Sequence, residues 1–184
     1  MIGELPTSLV ISGVSYPIRY DYRIALLIFE AYEDKELTRE EQHMVCLRCL
    51  YEDHSRIPEK DLKEAIEKAI WFLDGGDMPK TENRVKTLDW KQDERMIFSA
   101  VNKTSGCECR AVPMHWWSFL GYLSEIGDCL LSTVMHIRHK RGRGEKLEKY
   151  ELKVCREHSE LINIKEKLTE EENKEKDIVD SLFY

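Results

Sequence analysis

PMHWWSFLGYL, residues 113–123, sets a histidine and two adjacent tryptophans at the head of a short apolar run. The chain has four tryptophans, so half of them stand here side by side. Pro113 suits the start of a helix, and Trp116, Leu120 and Leu123 recur at helical intervals, which predicts one apolar face with Trp117 and Phe119 flanking it. His115, in the first turn, is placed to hydrogen-bond a neighbouring carbonyl or carboxylate. Burying an indole contributes on the order of a few kcal/mol and requires a partner for its N–H. The rings are therefore read as a hub packed on Trp90, Phe98 and a central helix, with one ring at the hub's edge open to a partner.

Working outward, Gly127-Asp128 breaks the helix, and CLLSTVMHIRHK continues with Leu130, Leu131, Val134, Met135 and Ile137 on a helical face. Upstream, residues 106–112 interrupt. Before them Asp89, with Gln92 three residues on, is expected to open a helix whose apolar face is Trp90, Ile97, Phe98 and Val101. The polar stretch DMPKTENRVKT, residues 77–87, reads as a linker. Ahead of it Leu62, Ile66, Ala69, Ile70 and Leu73 follow Pro58 at helical spacing and stop at Gly75-Gly76. Thr38 and Glu41 form a capping box for TREEQHMVCLRCLYED. Asp21 is a candidate N-cap for YDYRIALLIFEAYED, which is apolar nearly all round from Ile24 to Phe29 and reads as the buried central helix.

Two short strands around Ser12-Gly13 alternate apolar and polar residues, with Gly13 free to take positive φ and Pro17 confining the second strand to an edge. Such a hairpin is marginal alone and must lie on a helix. The expected fold is thus mainly α. A compact multi-helix domain, residues 1–140, carries a small hairpin at about 8–19, and a charged amphipathic helical extension follows at 141–184. That extension begins at the basic, glycine-punctuated HKRGRGEK. Residues 145–184 hold 12 acidic and 8 basic side chains. Leu147, Tyr150, Val154, Leu161, Ile164 and Leu168 keep a 3-4 alternation, broken by Glu157 and resumed at Ile178 and Leu182. Such a degenerate heptad serves either a weak homo-oligomeric coiled coil through 145–184 or a tail folded back on its own domain.

The apolar share of 42% supports a real core, and the 34% charged share a heavily solvated surface. A net charge of −7 argues against wholesale binding to phosphate backbones. No apolar run reaches the roughly 20 residues of a membrane span. The start, MIGELPTSLV, lacks the basic and apolar blocks of a signal peptide, so six cysteines read as thiols of a cytoplasmic protein.

The sharpest metal candidates are Cys46 and Cys49, with Cys107 and Cys109 far downstream, since zinc wants four soft ligands in close-spaced pairs. Yet Val45, Cys46, Cys49 and Leu50 also make a small-residue core face, and Cys107-Glu-Cys109 has the wrong spacing for a knuckle, so no metal or cofactor is expected. No glycine elbow or phosphate-cradling loop accompanies any nucleophile, and no catalytic residue is assigned. Arg138, Lys140, Arg141 and Arg143, flanked by His136 and His139, are a candidate phosphate patch, a helix C-terminal cluster or a dock for an acidic partner. Without interleaved aromatics, nucleic acid is not the expected ligand.

LDWKQDERMIFSAVN, residues 88–102, followed by MHWWSFLGYL and by the arginine that closes HIR, resembles the bacteriophage gene-product-fifteen family of siphophage tail modules. The positions that carry the resemblance are Asp89, Trp90, Asp93, His115, Trp116, Trp117, Phe119, Ile137 and Arg138. LPTSLVISGVSYPIRYDYR, with Tyr32, Asp34 and Leu37, is also similar to that family. The similarity runs over roughly residues 5–145 and weakens in the charged tail, and the insert NKTSGCECRAV fits no family pattern. The resemblance implies a non-enzymatic tail assembly chaperone, working in the bacterial cytoplasm on tape-measure protein and tail-tube subunits. The alternative, from a different class, is a small phage regulatory or anti-host protein that binds nucleic acid or a host protein.

Overall fold

The computed structural model of the chain describes residues 3–77 and 85–165. The hairpin pairs β1 (Ser8–Ile11) with β2 (Val14–Pro17) antiparallel, Ser8 opposite Pro17 and Ile11 opposite Val14. Both turn residues are left-handed, Ser12 at φ 46° and Gly13 at φ 80°, the twist a two-residue hairpin favours. Ser12 is held there from outside. Its N–H and Oγ donate to Glu64, and its Oγ also reaches Asp61. The helix beneath is α3 (Leu62–Leu73), so the hairpin does lie on a helix and buries Leu9 and Ile11.

The helices before it are α1 (Tyr22–Tyr32), capped by Asp21, and α2 (Arg39–Leu50), opened by the expected Thr38–Glu41 box with bonds of 2.8 and 3.3 Å. Helix α1 is central, packing on α2 and on α5 (Trp116–Ser124), but it is not buried all round. Tyr22, Ala25 and Ile28 are buried while Leu27 is half exposed, because among the described residues no element covers that side. The next helix, α4 (Glu94–Ser105), begins four residues later than expected, with Asp93 rather than Asp89 at its N-cap. Asp89 instead accepts the N–H groups of Lys91 and Gln92 and makes a separate turn, which leaves Trp90 ahead of the helix.

Helix α6 (Leu130–Gly142) runs through the first part of the basic hinge, with Cys129 at its N-cap. Beyond it, α7 (Lys149–Glu157) and the single turn α8 (Ser159–Ile162) return to α6, where Val154 and Ile162 bury against Val134 and Ile137. The described part of the charged extension therefore folds back on α6. Residues 166–184, where the heptad resumes at Ile178 and Leu182, lie outside the described residues. Among the described residues no helix is long and apolar enough to cross a membrane.

Glu151 ties α7 down. It is buried, caps Glu148 and meets Lys140 at 2.7 Å and His136 at 3.1 Å. The Lys140 ammonium, with the Glu148 N–H, holds its carboxyl below the usual 4.5, and Glu151 in turn holds Lys140 above 10.5. A lowered carboxyl pKa stabilises the folded state above the unfolded value and loses that contribution as pH falls through the folded one. A raised ammonium pKa does the reverse at the alkaline end. Docking of α7 is expected to stay constant between about pH 5 and pH 10 and to weaken on either side. The Val154 methyl resonances read this directly.

Candidate partner-binding site

The two tryptophans that open α5 face the end of α3. A helix leaves its last four carbonyls without intrahelical donors. In α3 the Asp74 N–H donates to the Ile70 carbonyl, and Gly76 and Gly75 donate to Trp71 and Phe72 in a Schellman turn. The Trp117 indole N–H also donates to the Phe72 carbonyl, and the Trp116 N–H to the Leu73 carbonyl, each at 2.8 Å. The paired indoles are therefore the C-cap of another helix, and their adjacency follows from capping adjacent carbonyls. Gly76, at φ 92°, comes so close that a Cβ there would lie 2.8 Å from the Trp117 ring. Gly76→Ala is expected to cost about 1–3 kcal/mol, from left-handed strain and displacement of the indole, measurable by urea unfolding.

Trp116 and Phe119 are fully buried, and Trp117 is half-buried, so it is the ring at the edge. Trp116 meets Trp90 and Phe29, and Phe119 stacks on Tyr22 at 4.6 Å and meets Phe98 edge-on. These are the expected contacts with Trp90, Phe98 and the central helix. Trp117 packs on Trp71 and Phe72 of α3, which the spacing did not indicate. His115 is the N-cap of α5. Its Nδ1 accepts the Trp117 backbone N–H, which fixes the proton on Nε2, where it donates to the Pro6 carbonyl at 3.0 Å. Its backbone pairs with Asp21, so one short bridge joins the starts of α1 and α5.

A second buried group surrounds Arg138, which is 4% exposed, with Asp93 at 0% and Asp89 at 3%. Guanidinium has five N–H donors, and here all five find acceptors. Nη1 and Nη2 grip the two Asp93 oxygens, Nε donates to the Ile162 carbonyl, and the remaining protons go to the carbonyls of Thr87 and Leu161. Asp93 also accepts the Asp89 N–H, and Asp89 takes Lys86 at 2.9 Å. Arg138 thus joins the start of α4 to the last carbonyls of α8. Gln92 holds the same segment, donating to Glu160 and Asn163 and accepting the Lys165 N–H.

Little of the basic cluster is left for an outside ligand: Arg138 is buried, Lys140 pairs with Glu151, and Arg141 meets Asn163. The four cysteines are not brought together. Cys46 is buried on α2, its thiol pushed up to about 11 by burial, and Cys109 is buried beneath the Tyr22 hydroxyl while Cys107 is exposed. Among the described residues no group of three or more potential ligands gathers. The insert folds as a plug, with Asn102 bonding Glu108 and the Cys109 N–H.

An open groove of about 560 Å³ lies between α1 and α4. Leu26, Leu27, Trp90 and Phe98 give it an apolar lining, and Arg23, Arg110, Lys91, Glu30 and Glu94 stand around its mouth. Leu27, at 50% exposure, is the residue that the central-helix reading did not anticipate. The signal in the sequence was an apolar run longer than one helix face needs.

A mainly α-helical protein results, built on an aromatic hub, clamped by a buried aspartate–arginine pair, and open along one apolar groove. Its sequence matches the family model described as Bacteriophage Gp15 protein over residues 1–168, and the chain belongs to that family. The match passes residue 145 and takes in α7 and α8, the elements that Arg138 holds. Neither a curated protein nor a solved structure matches the chain.

Proposed function

We propose that this protein is a non-enzymatic tail-assembly chaperone or adaptor in the host cytoplasm, binding tape-measure protein, tail-tube protein or both during morphogenesis. The single observation that carries the reading is the apolar groove between α1 and α4, on a chain that belongs to a bacteriophage family. Helix α1 has 11 residues, so the groove offers roughly 16 Å of apolar wall, enough for two to three turns of a partner helix. Long helices with uncovered apolar stripes aggregate, and a groove of this kind shields them reversibly. His115, Asp89 and Asp93, the buried polar side chains of the two assemblies, are engaged in caps and pairs, which fits a role by contact.

The test is co-expression of the full chain with a tape-measure segment of the same phage. A soluble complex that elutes as one species is expected, and Leu27→Asp should abolish it while leaving the fold intact. An insoluble segment with no complex overturns the proposal. The alternative regulator would bind nucleic acid through the exposed members of the basic cluster, Arg141 and Arg143, and a mobility shift at low salt would support that reading instead.

A further inference from the structure

The described chain ends at Lys165, and it ends beside the groove. The Lys165 N–H donates to the side chain of Gln92, two residues from Trp90 and next to Lys91, both of which line the groove. Gln92 also grips the Glu160 and Asn163 carbonyls, so the exit direction is held from three points. Beyond it come residues 166–177, twelve mostly charged positions, and then IVDSLFY, residues 178–184. At helical spacing Ile178 and Leu182, with Val179 and Phe183, share one face, and Asp180 and Ser181 fall on the other. The intervening residues can span roughly 40 Å when extended, more than the length of the α1 wall. The one concentrated apolar stretch beyond Lys165 is thus tethered within reach of the groove that Leu26, Leu27, Trp90 and Phe98 line.

From this juxtaposition we propose that residues 178–184 of the same chain occupy the α1–α4 groove and are displaced when a client binds. The inference rests on the groove being the client's seat, and it names what fills that seat beforehand. Tethering makes the idea quantitative. Tethering over so short a stretch gives an effective concentration near the millimolar range, so a segment with an intrinsic Kd of ~0.1 mM fills the groove in about nine chains of ten. A client then meets an apparent Kd about tenfold weaker than that of the open groove. Such a strap keeps apolar surface covered while the protein waits, and yields to a longer helix.

The full-length protein tests this without any client, so the strap and the chaperone reading can fail separately. A photo-crosslinking residue placed at position 27 should capture residues 178–184 within one chain. Capture of other segments alone, or of a second copy alone, overturns the proposal. As a second readout, Leu182→Asp with Phe183→Asp should raise binding of the apolar dye anilinonaphthalene sulfonate about tenfold, the ratio of open grooves. Adding Leu27→Asp should cancel that rise. Dye binding that the double substitution leaves unchanged overturns it.

Discussion

Arg138→Met is expected to lower stability by about 3–5 kcal/mol, the loss usual when one partner of a buried ion pair is removed. The Asp93 carboxylate would remain at 0% exposure without its guanidinium, and the carbonyls of Thr87, Leu161 and Ile162 would lose their donors. For a chain of this length each kcal/mol moves Tm by roughly 2–4 °C, so a fall of about 10 °C is expected by calorimetry. Arg138→Lys should lie between, because an ammonium offers three donors where five acceptors wait. The double substitution Asp93→Leu with Arg138→Met should recover part of the loss, since no charge is then buried alone, but not all, since the α8 carbonyls stay unpaired. A Tm no lower than that of Arg143→Met, which removes only a surface pair with Glu145, would refute the clamp.

Trp116→Ala carries the second large effect, about 3–5 kcal/mol for deleting a buried indole. The ring touches Trp90, Phe29 and Phe119, so its loss opens a cavity between α1, α4 and α5. Trp116→Phe separates packing from capping. It keeps most of the ring and removes the N–H to the Leu73 carbonyl, and should cost about 1–2 kcal/mol. Trp117→Ala should cost less than Trp116→Ala, because Trp117 is half-buried. Urea unfolding of the three variants gives that order, and equal losses would contradict the assignment of the two rings.

Local signals were legible. Thr38 and Glu41, Asp21, Pro58, the glycines at 75 and 76 and the alternation around Ser12-Gly13 each act through backbone groups a few residues away. They mark their elements in any context. What escaped were partners far apart in the chain. Arg19 donates to the carbonyls of Arg48, Cys49, Tyr51 and Glu52 at the end of α2. Trp116 and Trp117 do the same for α3, and Arg138 for α8. Orphan carbonyls at a helix C-terminus are certain from sequence, but which distant donor meets them is decided by packing. Asp89 misled for a related reason: its oxygen accepts from the next residues in an isolated turn as readily as at a helix start.

The candidate site divided along the same line. Asp89, Trp90, Asp93, His115, Trp116, Trp117, Phe119 and Arg138 do assemble, yet as two packed structural groups, with Trp90 and Trp117 at their edges, rather than one open site. Only Trp90 reaches the groove. Leu27 was hidden because a fully apolar helix run looks the same whether one side is left bare or not. The polar texture after Lys140 left open whether the extension pairs with another copy or folds back, and in the described part Val154, Ile162 and Glu151 hold α7 and α8 on α6.

The central claim is that the paired indoles bind helices together and leave contact work to another surface. Hydrogen exchange of the four indole N–H groups by NMR tests it most directly. The Trp116 N–H should exchange only through global unfolding, with Trp117 protected beside it, while Trp90 on the groove wall, covered only by a segment that lifts off without unfolding, exchanges faster than either. Rapid exchange at Trp116 and Trp117 together with protection at Trp90 would contradict the account.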